Sequence, residues 1–162
     1  MTPAHHLARA RFWLVVMIVG LVVSGVTAFP LELETRALLH AVTPYADRLP
    51  AFVGWIARVH GALADTGTRY PFLAYGTDWL AFAHLTIAVA FLGPLRDPVR
   101  NVWVVQFGMI ACLGVVPLAL IAGPVRGIPW FWTCVDLSFG IFGLVPLLLA
   151  YRHIRALEGL EQ

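Results

Sequence analysis

Apolar residues run nearly unbroken over four stretches of the chain: about Phe12 to Phe29, Thr77 to Gly93, Val102 to Gly123 and Phe131 to Tyr151. Each is close to the roughly 20 residues that a helix needs to cross a hydrocarbon core, so each predicts a transmembrane helix. The stretch between the first and second runs has a different pattern. Glu32, Glu34, Arg36, Asp47, Arg48, Arg58, Asp65 and Arg69 punctuate it, and Pro30, Pro44, Pro50 and Pro71 divide it. Within it, Leu49 to Leu63 sets Phe52, Ile56 and Val59 along one helical face, with Trp55 beside them and Arg58 off the stripe. That periodicity predicts an amphipathic helix lying in the membrane interface rather than crossing it. Leu31 to Val42 predicts a second, shorter one. The expected fold is an all-α integral membrane protein. Four transmembrane helices form a bundle, and an extracytoplasmic amphipathic segment over about 30–76 joins spans 1 and 2. Residues 1–162 make one transmembrane domain.

The arginines orient this arrangement. Arg9 and Arg11, Arg96 and Arg100, and Arg152 and Arg155 fall on one side; the other carries Arg126 and the long segment, in which acids balance bases. The excess of positive charge marks the cytoplasmic face. Both termini are therefore expected inside and the long segment outside, with the bacterial inner membrane as the expected location. Trp79, Trp130 and Trp132 at outer ends, and Trp13 and Trp103 at inner ends, suit the two interfaces. A rival reading of span 1 is a cleaved secretory signal, with Val26-Thr27-Ala28 as the cleavage region; the apolar run is long for that.

Composition strengthens the membrane reading. The chain is 60% hydrophobic and only 12% charged, with a mean hydropathy of +0.81. A water-soluble domain of 162 residues still exposes a large share of its surface and has no means of hiding so much apolar area. A net charge of +2, with every strong base an arginine, gives no nucleic-acid surface. The lipid bilayer is the first expected partner, with further copies of the chain or other membrane subunits next. Cys112 and Cys134 form no CxxC pair and no metal-ligand spacing, so they read as small buried residues and no metal site is expected. The sequence holds no Walker loop, GxGxxG, HExxH, GxSxG or CxxCH signature, and no cofactor is legible.

The repeated Gly-Pro-x-Arg at 93–96 and 123–126 reads as a helix-stop code, rather than as the trace of an inverted repeat. Arg96 to Asn101 reads as a tight turn holding its own ion pair.

Ionisable groups at bilayer depth are costly and hence candidate site residues. Three qualify: Asp78, His84 and Asp136. His84 shares a face with Ala81 and Ala88, and Asp136 with Gly140 and Gly143. Small residues allow close helix approach, so both groups are expected to face neighbouring helices, where they would meet as a carboxylate–imidazole pair if spans 2 and 4 adjoin. Asp78, six residues before His84, is rotated by about 120° from it. The plainer roles are an N-cap for Asp78, packing hydrogen bonds for His84 and Asp136, and an interface anchor for Arg126. Arg126, Arg69 and Tyr75, the last in the aromatic stretch leading into span 2, are the candidate ligand-binding residues.

Three functions follow. First is a membrane-complex subunit, assembly factor or small-ligand-binding module that works through its outer half. Second is an enzyme acting on a lipid or quinone-like substrate, with His84 as general base, Asp136 as its orienting carboxylate and an arginine on the headgroup. Third is a b-type haem protein, which would need His60 to pair with His84.

Overall fold

The computed structural model describes residues 2–160. Its elements are α1 (Pro3–Thr27), α2 (Leu31–Val42), α3 (Pro50–Arg69), α4 (Ala74–Ala90), α5 (Leu92–Arg96), α6 (Val102–Val125) and α7 (Trp130–Glu158), with 3₁₀ turns at Thr43–Tyr45 and Pro71–Leu73. No strand occurs among the described residues. Four helical stretches are long and apolar enough to cross a membrane: Pro3–Thr27, Pro71–Arg96, Val102–Val125 and Trp130–Glu158. The chain divides into two compact units, residues 22–86 on one hand and 1–21 with 87–162 on the other.

In the larger unit the core joins Ala10 and Leu14 of α1, Phe91, Val104 and Val105, and Leu147, Ala150 and Ile154 of α7. Close approach of α6 and α7 depends on glycine. A Cβ at Gly140 would lie 2.8 Å from the Cys112 carbonyl oxygen, and one at Gly143 would lie 2.7 Å from Cys112 Sγ. At Gly108 the added carbon would meet Phe91 Cζ at 2.8 Å and Leu147 Cδ1 at 2.9 Å. In an apolar solvent no hydrophobic force drives helices together, so this close van der Waals contact is what holds them.

The two Gly-Pro-x-Arg sequences behave differently from a stop code. Gly93 and Pro94 lie inside α5, and Gly123 and Pro124 lie inside α6. Pro94 has no N–H to give the Ala90 carbonyl, and Ala90 is where α4 ends. What stops α6 is Gly127, at φ +67°. The Ile128 N–H bonds to the Gly123 carbonyl (2.9 Å) and the Gly127 N–H to the Pro124 carbonyl (3.1 Å). That pair of bonds is a Schellman closure, which needs a left-handed residue after the helix.

The turn after α5 forms as expected, without the ion pair. Asp97 Oδ1 accepts the Arg100 backbone N–H (3.1 Å), and Asn101 Nδ2 donates to the carbonyls of Gly93 (3.3 Å) and Asp97 (3.0 Å). Backbone donors within one turn reach the carboxylate with less loss of side-chain freedom than a long arginine does. Arg11 supports the same region: its Nε donates to the Leu95 carbonyl (3.1 Å) and its Nη2 to that of Arg96 (3.2 Å). A guanidinium fork thus caps the last carbonyls of α5. Arg11→Ala is expected to destabilise the fold by about 1 kcal/mol, given the exposure of the site. Arg11→Lys should recover only part, because an ammonium is a single point of donation. Thermal unfolding in detergent checks both.

In the smaller unit α2 packs on α3. Ile56 of the predicted stripe is buried, together with Val53, while Phe52 and Val59 are half-buried. The helix outlasts the predicted Leu63 and runs to Arg69, with Asp65 and Arg69 paired at 2.8 Å one turn apart. Thr35 Oγ1 of α2 lies 3.4 Å from His60 Nδ1 of α3. Near the end of α1, a Cβ at Gly25 would lie 3.0 Å from the Ala81 carbonyl oxygen of α4. The same glycine logic therefore joins α1 and α4 here.

Candidate functional site

Between α2, α3 and the entry to α4 the smaller unit forms an open cavity of about 420 Å³. Its lining is mostly apolar: Phe29, Leu31, Leu33, Leu63 and Leu73. The polar groups are few, namely Glu32 and Arg36 of α2, Thr66 of α3 and Thr77 of α4. Glu32 and Arg36 are one turn apart on one helix face, in the order that favours an ion pair. Yet the ion pairs among the described residues are Asp65–Arg69 and Arg155–Glu158. Neither charge at the cavity is held in an ion pair among the described residues, and both residues stand exposed at its mouth. Gly67 completes the wall, and a Cβ there would lie 3.3 Å from Glu32 Oε2. The absence of a side chain at 67 helps keep the space open.

A volume of this size falls in the range of small-molecule sites, which combine apolar walls with a few placed polar groups. Chemically, the arrangement offers a cation to an anionic group, a carboxylate to a donor, and leucines to an apolar body. None of these lining residues was singled out by sequence reasoning. Arg36 and Glu32 passed as ordinary charges of an interfacial helix, and their only signal was a turn's spacing on the helix that also carries Leu31 and Leu33.

The sequence-derived candidates fall as follows. Asp78 lies in the second turn of α4, which begins at Ala74, so it is not the N-cap. Pro71 opens a 3₁₀ turn that starts the helical path earlier than the apolar run suggests. Asp78 and Tyr75 do come together, in a shallow cleft with Phe29, Trp79 and Phe82. The Tyr75 and Trp79 rings meet edge to face at 5.9 Å, and those of Trp79 and Phe82 at 6.0 Å. A carboxylate among aromatic rings suits a cation, although this exposed ladder serves equally as an interfacial aromatic belt. His84 Nδ1 stands 2.8 Å from the Leu80 carbonyl in its own helix. A carbonyl only accepts, so the bond requires Nδ1–H and leaves Nε2 as the free nitrogen. That is the packing role, met within one helix.

Arg69 is held by Asp65 on the exposed face of α3 and does not line the cavity. Asp136 and Arg126 belong to the larger unit and Asp78 and His84 to the smaller one. Arg126 is the residue at which α6 ends, its N–H bonded to the Ala122 carbonyl (2.9 Å). Asp136 lies one turn before Gly140, where α7 comes close against the α6 backbone at Cys112. Among the described residues no group of three or more His, Cys, Asp or Glu is placed to hold a metal ion.

No protein-family model, curated protein or solved structure matches the chain.

Proposed function

We propose that this chain is an integral membrane protein that binds a small amphiphile in the cavity formed by α2, α3 and the start of α4. Membrane insertion is supported by the outward faces of the long helices. Ile110 and Ile121 of α6 are 69% and 68% exposed, and Phe142 of α7 is 74% exposed. Apolar surface in such continuous amounts needs lipid or protein against it. The arginine distribution supports termini on the cytoplasmic side of a bacterial inner membrane, with α2 and α3 lying along the opposite face.

The observation that carries the binding reading is Arg36: a guanidinium on a mostly apolar cavity wall, engaged in neither of the ion pairs among the described residues. The ligand is an amphiphile whose phosphate or carboxylate meets Arg36, whose hydroxyl or amine meets Glu32, and whose apolar part lies along the leucines. Binding without turnover follows from the polar groups available, since the cavity holds no nucleophile–base pair.

The test is retention of a bound molecule. Protein purified in mild detergent, extracted with organic solvent and read by mass spectrometry is expected to release about one amphiphile per chain. Arg36→Ala should lower that occupancy by about tenfold to a hundredfold, the worth of one charge-assisted hydrogen bond. Equal retention by Arg36→Ala, or no retained amphiphile in the parent protein, overturns the reading.

A further inference from the structure

The larger unit carries a second, chemically distinct site. His6 of α1 and His153 of α7, 147 positions apart, place their Nδ1 atoms 3.0 Å from each other. Their ring centroids are 5.2 Å apart. Beside them is a cavity of about 360 Å³ lined by His6, Leu149, Arg152 and His153. The electrostatics around it are one-sided. Arg152 on α7, and His5 and Arg9 on α1, all bear on His153. On α7, Glu158 is paired with Arg155. Basic groups therefore collect around a small space that no carboxylate lines among the described residues, and these are surroundings an anion neutralises.

We propose that this cavity binds the phosphate of an anionic phospholipid, held by Arg152 and by the His6–His153 pair. The proposal rests on the membrane reading above, because it takes the arginine-rich ends of α1 and α7 to lie at headgroup level. The histidine pair has a specific part. An Nδ1···Nδ1 hydrogen bond needs one ring to donate and the other to accept. When both rings are neutral, the donor ring has spent its only proton on the bond, so the pair turns one Nε2–H outward. Adding one proton keeps the bond and gives both rings an Nε2–H, together with a net positive charge. Two donors and the Arg152 fork then serve the phosphate oxygens. Uptake of one proton is thus linked to anion binding, so acidification favours the bound anion.

Full-length protein in detergent, titrated with phosphatidylglycerol, phosphatidylcholine or inorganic phosphate and read by native mass spectrometry, tests the site. Phosphatidylglycerol is expected to bind about tenfold more tightly than phosphatidylcholine, and Arg152→Gln to remove about that preference. Between pH 8 and pH 6 the preference should grow about threefold or more in the parent protein and stay flat in His153→Gln. Inorganic phosphate should compete only at much higher concentration. If it binds as tightly as the lipid, the site is for free phosphate and the lipid assignment fails. Equal binding of the two lipids, or unchanged selectivity in Arg152→Gln, overturns the site itself. A parallel alkaline wash of membranes separates the causes. Protein that leaves the pellet sinks the membrane reading and the lipid proposal with it, whereas protein that stays while selectivity is lost sinks the site alone.

Discussion

Gly140→Ala is expected to lower the stability of the protein by about 1–3 kcal/mol, the usual cost of forcing a carbon into a packed interface. For a chain of this size that corresponds to a fall of about 2–12 °C in thermal midpoint. The new Cβ would stand 2.8 Å from the Cys112 carbonyl oxygen and 3.4 Å from Val115 Cβ. A backbone oxygen has no rotamer to escape into, so α6 and α7 must move apart. Gly143→Ala has the same reach but a different obstacle, the Cys112 sulfur at 2.7 Å. Cys112→Ala should therefore relieve Gly143→Ala and leave Gly140→Ala unrelieved, a coupling that a double-mutant cycle reads directly. Gly114→Ala, with nothing within 4 Å of the added carbon, is the control and should be neutral or mildly stabilising. Equal losses at positions 114 and 140 would mean that glycine acts here through the backbone and not through helix approach.

Gly67→Leu should abolish retention of the amphiphile, by about tenfold or more, while leaving the fold intact. The position lies within α3 and lines the cavity. Its first added carbon is already 3.3 Å from Glu32 Oε2, and the rest of the leucine must take up the ligand's space or displace that carboxylate. Replacing a glycine in the last turn of α3 also improves helix propensity, by up to roughly 1 kcal/mol. Stability and binding are thus expected to move in opposite directions, which a simple folding defect does not produce. Gly61→Leu, on the same helix with open space around its added carbon, should keep the ligand. Extraction and mass spectrometry, alongside thermal midpoints, read both variants.

Much of the fold was legible because hydropathy is a long-range average. Four apolar runs predicted the four long helices, and the Phe52–Ile56–Val59 stripe predicted α3. Ends were less legible, for local reasons. α3 continues through Ala64–Arg69 beyond its apolar stripe, where Asp65 and Arg69 pair one turn apart. α7 carries on through Arg152 and His153 to Glu158, because a helix need not stop where its hydrophobicity does. Gly-Pro misled because proline was read as a terminator, whereas both copies lie inside a helix and the left-handed Gly127 makes the stop after α6. The cavity was not legible at all. It exists only when α2 lies on α3, and neither Arg36 nor Gly67 has a sequence signature apart from that contact. His84 and Asp136 drew attention by rarity in apolar runs, yet His84 finds its Nδ1 partner one turn away, at Leu80. The His6–His153 contact joins the two ends of the chain, a separation that no local pattern reports.

The most direct measurement is photolabelling with an amphiphile carrying a carboxylate head and a diazirine in its chain, followed by peptide mapping of protein in its native membrane. A bound ligand should concentrate the label on Leu33, Leu63 and Leu73 around the cavity, and Arg36→Ala should erase that concentration. Label spread evenly over the exposed apolar faces, Ile110, Ile121 and Phe142 among them, and unaffected by Arg36→Ala, would contradict it.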